Sequence, residues 1–303
     1  MIAVDLGSNT LHFIEYDGKK WGKSFEKIVR TAEGLNLHPE IGSLALERII
    51  DAIDEAKKIF DFRVHEIVAV TTAAMRMATN SADILKKIHE KTGILFRIID
   101  GENEALLTLK AVENRLHQLS LSTDEFVLAD IGGGSTEIIV VSGSRCESKS
   151  FPLGIVTLSE KSQTDNILTN ELESFSETII RYIDTLALPS PPKTLILTAG
   201  TPTTIVAYLM GMSYASYDPV KINGSFLKRS DCEIVLDELM KMDEATRAYY
   251  VGVGREGLIA TGIRIVEMVF EALRLERAVV IDDGLCEGVA LDYFSERYIP
   301  HLT

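Results

Sequence analysis

Asp130-Ile-Gly-Gly-Gly-Ser-Thr-Glu137 decides the fold, because Asp5-Leu-Gly-Ser-Asn-Thr10 repeats its plan 125 residues earlier (130 minus 5). Each segment starts with an aspartate at the end of an apolar strand, residues 2–6 in one case and 126–131 in the other, and passes through glycine and hydroxyl residues into a second strand. Strands at 11–16 and 24–31 follow the first aspartate, and strands at 136–141 and 146–151 follow the second. A helical pattern then closes each series. Leu46, Ile49, Ile50, Ile53, Ala56 and Phe60 share one helical face, as do Leu172, Phe175, Ile179, Ile180, Ile183 and Leu186. Two such series predict duplicated α/β lobes with a cleft between them, the kind of place where small ligands bind.

The remaining elements fill out the two series. Residues 66–71 and 95–99 read as strands, and 82–91 and 103–116 as helices. Pro189-Ser-Pro-Pro192 is a linker before a strand at 193–198. Thr201 before Pro202 reads as an N-cap and first helical residue, and Ser230-Asp-Cys-Glu233 as a capping box. Leu258, Ile259, Ile263, Val266, Phe270 and Leu273 line the last long helix before a strand at 279–282.

Composition narrows the function classes. A chain of 303 residues suits two domains, and 46% apolar with 25% charged residues is ordinary for a soluble globular protein. No apolar run approaches the roughly 20 residues of a membrane span, so no membrane partner is expected. Met1 leads straight into a strand, with neither the basic nor the apolar region of a signal peptide, which points to the cytoplasm. The three cysteines, Cys146, Cys232 and Cys286, have no metal-type spacing and are expected to be reduced thiols. A net charge of -14 repels polyanions at long range and argues against nucleic acid as a partner. It leaves room for a small phosphorylated ligand held by local backbone donors, a cation and a few arginines.

In each glycine segment the backbone can approach an anion closely, and exposed amides with Ser8, Asn9, Ser135 and Thr136 can donate to phosphate oxygens. Neither segment is a P-loop or a GxGxxG fingerprint. Asp5 and Asp130, facing each other across the cleft, could hold a hydrated Mg²⁺, with Glu137 joining that shell. Asp100, Glu102 and Glu104 lie within five residues where a strand meets a helix. One could be a general base, or all three could serve the helix dipole, and spacing alone leaves both readings open. Arg76 is the only charge among small and apolar residues in Thr71-Thr-Ala-Ala-Met-Arg76-Met-Ala, either paired or turned into a cleft. Thr198-Ala-Gly-Thr201-Pro-Thr-Thr204 offers the N-terminus of a helix to an anion, although capping alone also accounts for it.

Taken together, these segments resemble the exopolyphosphatase/guanosine pentaphosphate phosphohydrolase (Ppx/GppA) family of the actin-like superfamily. The resemblance rests on Val4-Asp-Leu-Gly-Ser-Asn9, Thr72-Ala-Ala-Met-Arg76-Met-Ala-Thr-Asn80, Gly101-Glu-Asn-Glu104-Ala105 and Asp130 to Glu137. Pro152-Leu-Gly154, Ala199-Gly-Thr201-Pro-Thr-Thr204 and Gly284-Leu-Cys-Glu-Gly288 complete it. It implies an α/β fold of two actin-like (ribonuclease H-like) domains, each a mixed five-stranded sheet with flanking helices. The implied domains are 1–120, joined by a C-terminal helix at 286–303, and 121–285, with the active site in the interdomain cleft.

The implied activity is release of terminal phosphate from inorganic polyphosphate or guanosine pentaphosphate. Mg²⁺ is the implied cofactor, with another divalent ion or K⁺ as alternatives, and a homodimer is one open assembly. Glu104 falls on the family's base, with Asp130 and Glu137 as the acidic pair and Asp5 beside them as a metal ligand. Gly7, Ser8, Asn9, Gly132, Gly133, Gly134, Ser135 and Thr136 fall on phosphate-binding turns. Arg76, Gly200, Thr201 and Arg255 fall on substrate-binding positions. Two residues depart from the family's pattern: Cys286 and Leu106 stand where relatives carry arginine, and the helical domains that follow in many relatives are absent from this sequence. A small-molecule kinase of the same superfamily and a non-catalytic sensor of a phosphorylated alarmone are the alternatives.

Overall fold

Ile2–Leu6 (β1) is apolar at every position but Asp5 and almost wholly buried, the composition of a strand covered on both faces. It pairs antiparallel with Thr10–Tyr16 (β2), which pairs antiparallel with Trp21–Ile28 (β3). After the helix Ser43–Ala56 (α1), Ile67–Thr71 (β4) joins the other edge of β1 in parallel. The short helix Ala73–Met77 (α2) and the helix Ser81–Thr92 (α3) lead to Phe96–Ile98 (β5), parallel to β4. The first sheet therefore runs β3-β2-β1-β4-β5, five strands as expected. Helix Gly101–Gln118 (α4) follows. The expected strand at 24–31 is shifted toward its N-terminus, because the Val29 and Arg30 amides leave the ladder and donate to the Asn9 carbonyl, both at 2.9 Å.

The second series repeats the plan with Glu125–Ile131 (β6), Thr136–Ser142 (β7) and Arg145–Phe151 (β8), all antiparallel. Ile155–Lys161 (α5) and Asp165–Thr185 (α6) precede Leu195–Thr198 (β9), which lies parallel to β6. Gly200–Leu209 (α7) and Pro219–Ile222 (α8) lead to Ser225–Lys228 (β10). Arg229–Lys241 (α9), Glu244–Val251 (α10) and Ile259–Leu273 (α11) precede Arg277–Val280 (β11). The order β10-β11-β9-β6-β7-β8 has six strands, which corrects the expected five. The extra strand is β10, whose four residues bury Leu227 alone and leave Phe226 and Lys228 exposed. So short an alternation carries no clear period in the sequence. The expected capping box at Ser230 is also displaced: α9 begins at Arg229, and Asp231 accepts from the Lys228 amide at 2.9 Å. Helix α11 is buried along nearly its whole length and forms the centre of this core, packed against α5, α6, α7 and α9.

The computed structural model describes residues 1–162 and 164–295. It comprises two units, Met1–Ala111 with Gly284–Thr303, and Val112–Asp283. The last described helix, Leu285–Phe294 (α12), returns to the first unit, where Leu285, Cys286, Val289 and Ala290 pack with Ala3 and Val70. The expected helix at 286–303 ends at Phe294, with Ser295 extended beyond it, and residues 296–303 lie outside the described residues. Gly288 is where α12 meets α4: a Cβ there would lie 2.0 Å from the Leu107 carbonyl oxygen, so only glycine permits the approach. No described helix is long and apolar enough to cross a membrane.

Candidate active site

The two aspartate-glycine segments fold into the same hairpin. In the first, Asp5 lies opposite His12 and the Gly7 amide donates to the Thr10 carbonyl at 2.9 Å. In the second, Asp130 lies opposite Glu137 and the Gly132 amide donates to the Ser135 carbonyl, again at 2.9 Å. Both loops are also buttressed by their carbonyls. Ser8 O accepts from Ala32 N, and Asn9 O from Val29 N and Arg30 N. Gly132 O accepts from Ile155 N at 3.0 Å, and Gly133 O from Val156 N at 2.8 Å. With their carbonyls turned inward, the amides of Ser8, Asn9, Gly133 and Gly134 have no acceptor among the described residues. Runs of such donors form anion-binding concavities. Gly154 makes the second loop's support possible, since a Cβ there would sit 2.3 to 2.4 Å from the backbone of Gly133 and Gly134. Thr136, expected to touch phosphate, instead donates its hydroxyl to the Leu153 carbonyl at 2.6 Å in the same support.

Directly opposed residues on antiparallel strands project to one face with Cβ atoms about 5 Å apart. Asp130 and Glu137 are such a pair, two carboxylates of which Glu137 is only 1% exposed. The row continues to Thr198 on β9 and Ser150 on β8, and the Ser150 hydroxyl donates to Glu137 Oε1 at 2.6 Å. Like charges so placed repel unless a cation, proton or donor lies between them. Carboxylate and hydroxyl oxygens are hard donors that suit Mg²⁺ with its retained waters. In the first unit, the buried Oδ1 of Asn9 has no hydrogen-bond partner among the described residues. Among the described residues, no group of three or more His, Cys, Asp or Glu side chains stands ready to hold a metal, so any cation would take further ligands from substrate or water.

Geometry separates the three acids that spacing left open. Asp100 precedes α4 and caps it, its Oδ1 accepting from the Asn103 amide at 2.8 Å. Glu102 is exposed on the first turn. Glu104 is 8% exposed, and its Oε2 accepts from Arg76 Nη1 at 2.7 Å. Arg76 belongs to the short helix α2, and the same Nη1 donates to the Ile99 carbonyl at 2.8 Å.

The third glycine segment begins α7 at Gly200, one residue before the expected cap, so Thr201 lies inside the first turn and not at the N-cap. Its hydroxyl packs against α11, 2.4 Å from where a Gly262 Cβ would stand. Ala199 occupies the cap position at φ 73 and ψ -179, a region that side-chain-bearing residues rarely enter and that costs about 1–3 kcal/mol. The Arg255 guanidinium lies beside Gly200, 3.5 Å from a Cβ built there, with its carbon 5.8 Å from the centre of the Tyr214 ring. A cation at the positive end of a helix dipole is unfavourable on its own and is relieved by an anion. Replacing Ala199 by glycine should raise stability by about 1 kcal/mol, net of the added freedom of the unfolded chain. Urea unfolding checks this, and an unchanged or lower midpoint would mean that the turn stores no strain.

Cys286, at the family's arginine position, is 1% exposed, and its thiol points to the carbonyls of Ala3 and His12 at 3.5 and 3.6 Å. Burial first, then the Glu287 and Asp5 carboxylates, push this thiol well above its usual pKa. Its place is in the core. Leu106 is 46% exposed.

Two features escaped the sequence. One is Ser150, whose role depends on strand register. The other is the ion pair of Arg115 with Asp283, at 2.6 and 2.9 Å, joining residues 168 positions apart. Asp283 is 4% exposed, and its carbonyl receives the Thr198 hydroxyl at 2.9 Å, which steadies the strand end beside Asp130.

Known proteins share this architecture. The Aquifex aeolicus PPX-GPPA enzyme is 27% identical, with 96% of this chain and 98% of that chain covered and a TM-score of 0.72. An exopolyphosphatase from Cytophaga hutchinsonii is 21% identical over 97% of each chain with a TM-score of 0.82, a likeness of fold. A model of the Ppx/GppA phosphatase family matches residues 23–296, which bears out the resemblance read from the motifs: this chain belongs to the Ppx/GppA phosphatase family.

Proposed function

We propose that this phosphatase hydrolyses the terminal phosphoanhydride of a polyphosphorylated chain, inorganic polyphosphate or guanosine pentaphosphate. The observation that carries the reading is the twice-built hairpin, whose buttressed carbonyls leave its amides for phosphate oxygens. Family membership supplies the reaction class. The Aquifex and Cytophaga proteins are a PPX-GPPA enzyme and an exopolyphosphatase, which agrees with a polyphosphate-type substrate.

In the proposed reaction the oxygen of a water bonds to the terminal phosphorus while the bond from that phosphorus to its bridging oxygen breaks. The electron pair stays on the shortened chain, and the water's proton passes to Glu104. Such transfers depend on positioning and charge stabilisation more than on covalent chemistry. The amides of Gly133 and Gly134, with Ser135, and those of Ser8 and Asn9, take phosphate oxygens. Arg255 and the start of α7 at Gly200 and Thr201 meet the anionic chain. Asp130 and Glu137, opposite each other on β6 and β7, are the proposed ligands of Mg²⁺, which when bound neutralises charge developing on the phosphate oxygens.

A side-by-side phosphate-release assay with Mg²⁺ on short polyphosphate, long polyphosphate and guanosine pentaphosphate tests the reading. Release from at least one is expected, and silence on all three sinks it.

A further inference from the structure

Arg76 and Glu104 come from different elements, α2 and α4, and meet in the first unit at 2.7 Å. A guanidinium has five N–H donors, two of them on Nη1. Both Nη1 hydrogens are used inside the protein, one on Glu104 Oε2 and one on the Ile99 carbonyl at 2.8 Å. The carbonyl contact fixes the guanidinium to the residue just past β5, while Arg76 N, donating to Thr72 O at 3.1 Å, holds its own turn. On the other side, Glu104 N donates to the Asp100 carbonyl at 3.0 Å, so α4 is regular there and the carboxylate's origin is set. The pair is screened from solvent, with side-chain exposures of 23% and 11%. In such surroundings a charge-assisted contact is short, strong and directional.

We propose that Arg76 is a positioning residue for Glu104: its guanidinium clamps the carboxylate in the one orientation that serves the attacking water. This rests on Glu104 being the general base. The clamp supplies two things a base needs at the start of the reaction. One is a single rotamer, since a glutamate left loose on a helix samples several. The other is a neighbouring cation that favours the charged form, the one able to accept a proton. The Nε and Nη2 hydrogens remain beyond these two contacts, so the clamp does not require Arg76 to give up every donor.

A double-mutant cycle with steady-state kinetics across pH tests this. Arg76→Ala, Arg76→Lys and Glu104→Gln are made singly, and each arginine variant is then combined with Glu104→Gln. All are first checked for cooperative unfolding. Arg76→Ala should lower kcat by about tenfold to a hundredfold with KM changed less than about threefold. The acidic limb of its kcat profile should move to higher pH. On the Glu104→Gln background the same change should cost less than about threefold, because its target is already gone. Arg76→Lys keeps a charge without the fork and should fall between wild type and Arg76→Ala. Should Arg76→Ala not fold, Arg76→Lys is read by the same cycle. A raised KM with an unmoved acidic limb, or full additivity with Glu104→Gln, would overturn the proposal in favour of an arginine that binds the chain directly. Full activity in Glu104→Gln would instead remove the base assignment on which the proposal stands.

Discussion

Glu104→Gln should lower kcat for phosphate release by a hundredfold or more while leaving the protein folded, the usual scale for losing a general base. The amide keeps the shape of the carboxylate, and its oxygen can still accept from Arg76, so the change removes basicity more than packing. KM should shift little, because the proposed phosphate contacts lie elsewhere, in the Ser8-Asn9 and Gly133-Gly134 amides. A loss confined to kcat marks an interaction made in the transition state. Unimpaired turnover would show that another group takes the proton, and Asp130 would become the next residue to test.

Gly154→Ala should cost about a hundredfold in kcat/KM although Gly154 carries no chemistry of its own. The added methyl would stand 2.3 Å from the Gly134 carbonyl carbon and 2.4 Å from the Gly133 carbonyl. Backbone cannot yield there as a flexible side chain would. Either the loop moves outward by about an ångström, enough to misplace phosphate contacts, or α5 lifts and the Ile155 and Val156 amides lose their acceptors, Gly132 O and Gly133 O. Overpacking of this kind also destabilises, by about 1–3 kcal/mol. Kinetics with calorimetry on the same sample separates the two losses. A folded variant with normal kcat/KM would mean that the loop does not hold phosphate.

Much of this was legible in the sequence, for a physical reason. Asp5 and Asp130 end apolar strands and are followed by glycines, and local chemistry of that kind survives without tertiary context. What failed to show depends on partners far along the chain. Spacing could not choose among Asp100, Glu102 and Glu104, because the choice lies in which one is buried against Arg76. Ser150 needed the register of β7 against β8, and Asp283 needed Arg115. Capping was misplaced at both Thr201 and Ser230. At the first, strained Ala199 took the cap position, and at the second, Asp231 reached back to Lys228. That Cys286, where relatives carry arginine, lies in the core beside the Ala3 and His12 carbonyls also needed the fold.

The return of α12 to the first unit fixes an order of assembly on the ribosome. The unit Val112–Asp283 is one continuous stretch and can fold as soon as it emerges. The earlier-made Met1–Ala111 has no such freedom, since Leu285, Cys286, Val289 and Ala290 belong to its core and Gly288 seats against Leu107. At about 5–20 residues per second, β1 and β2 must wait roughly 15–55 seconds for the helix that covers them. A helix made late thus completes a sheet made early, and the half synthesised first is the half finished last.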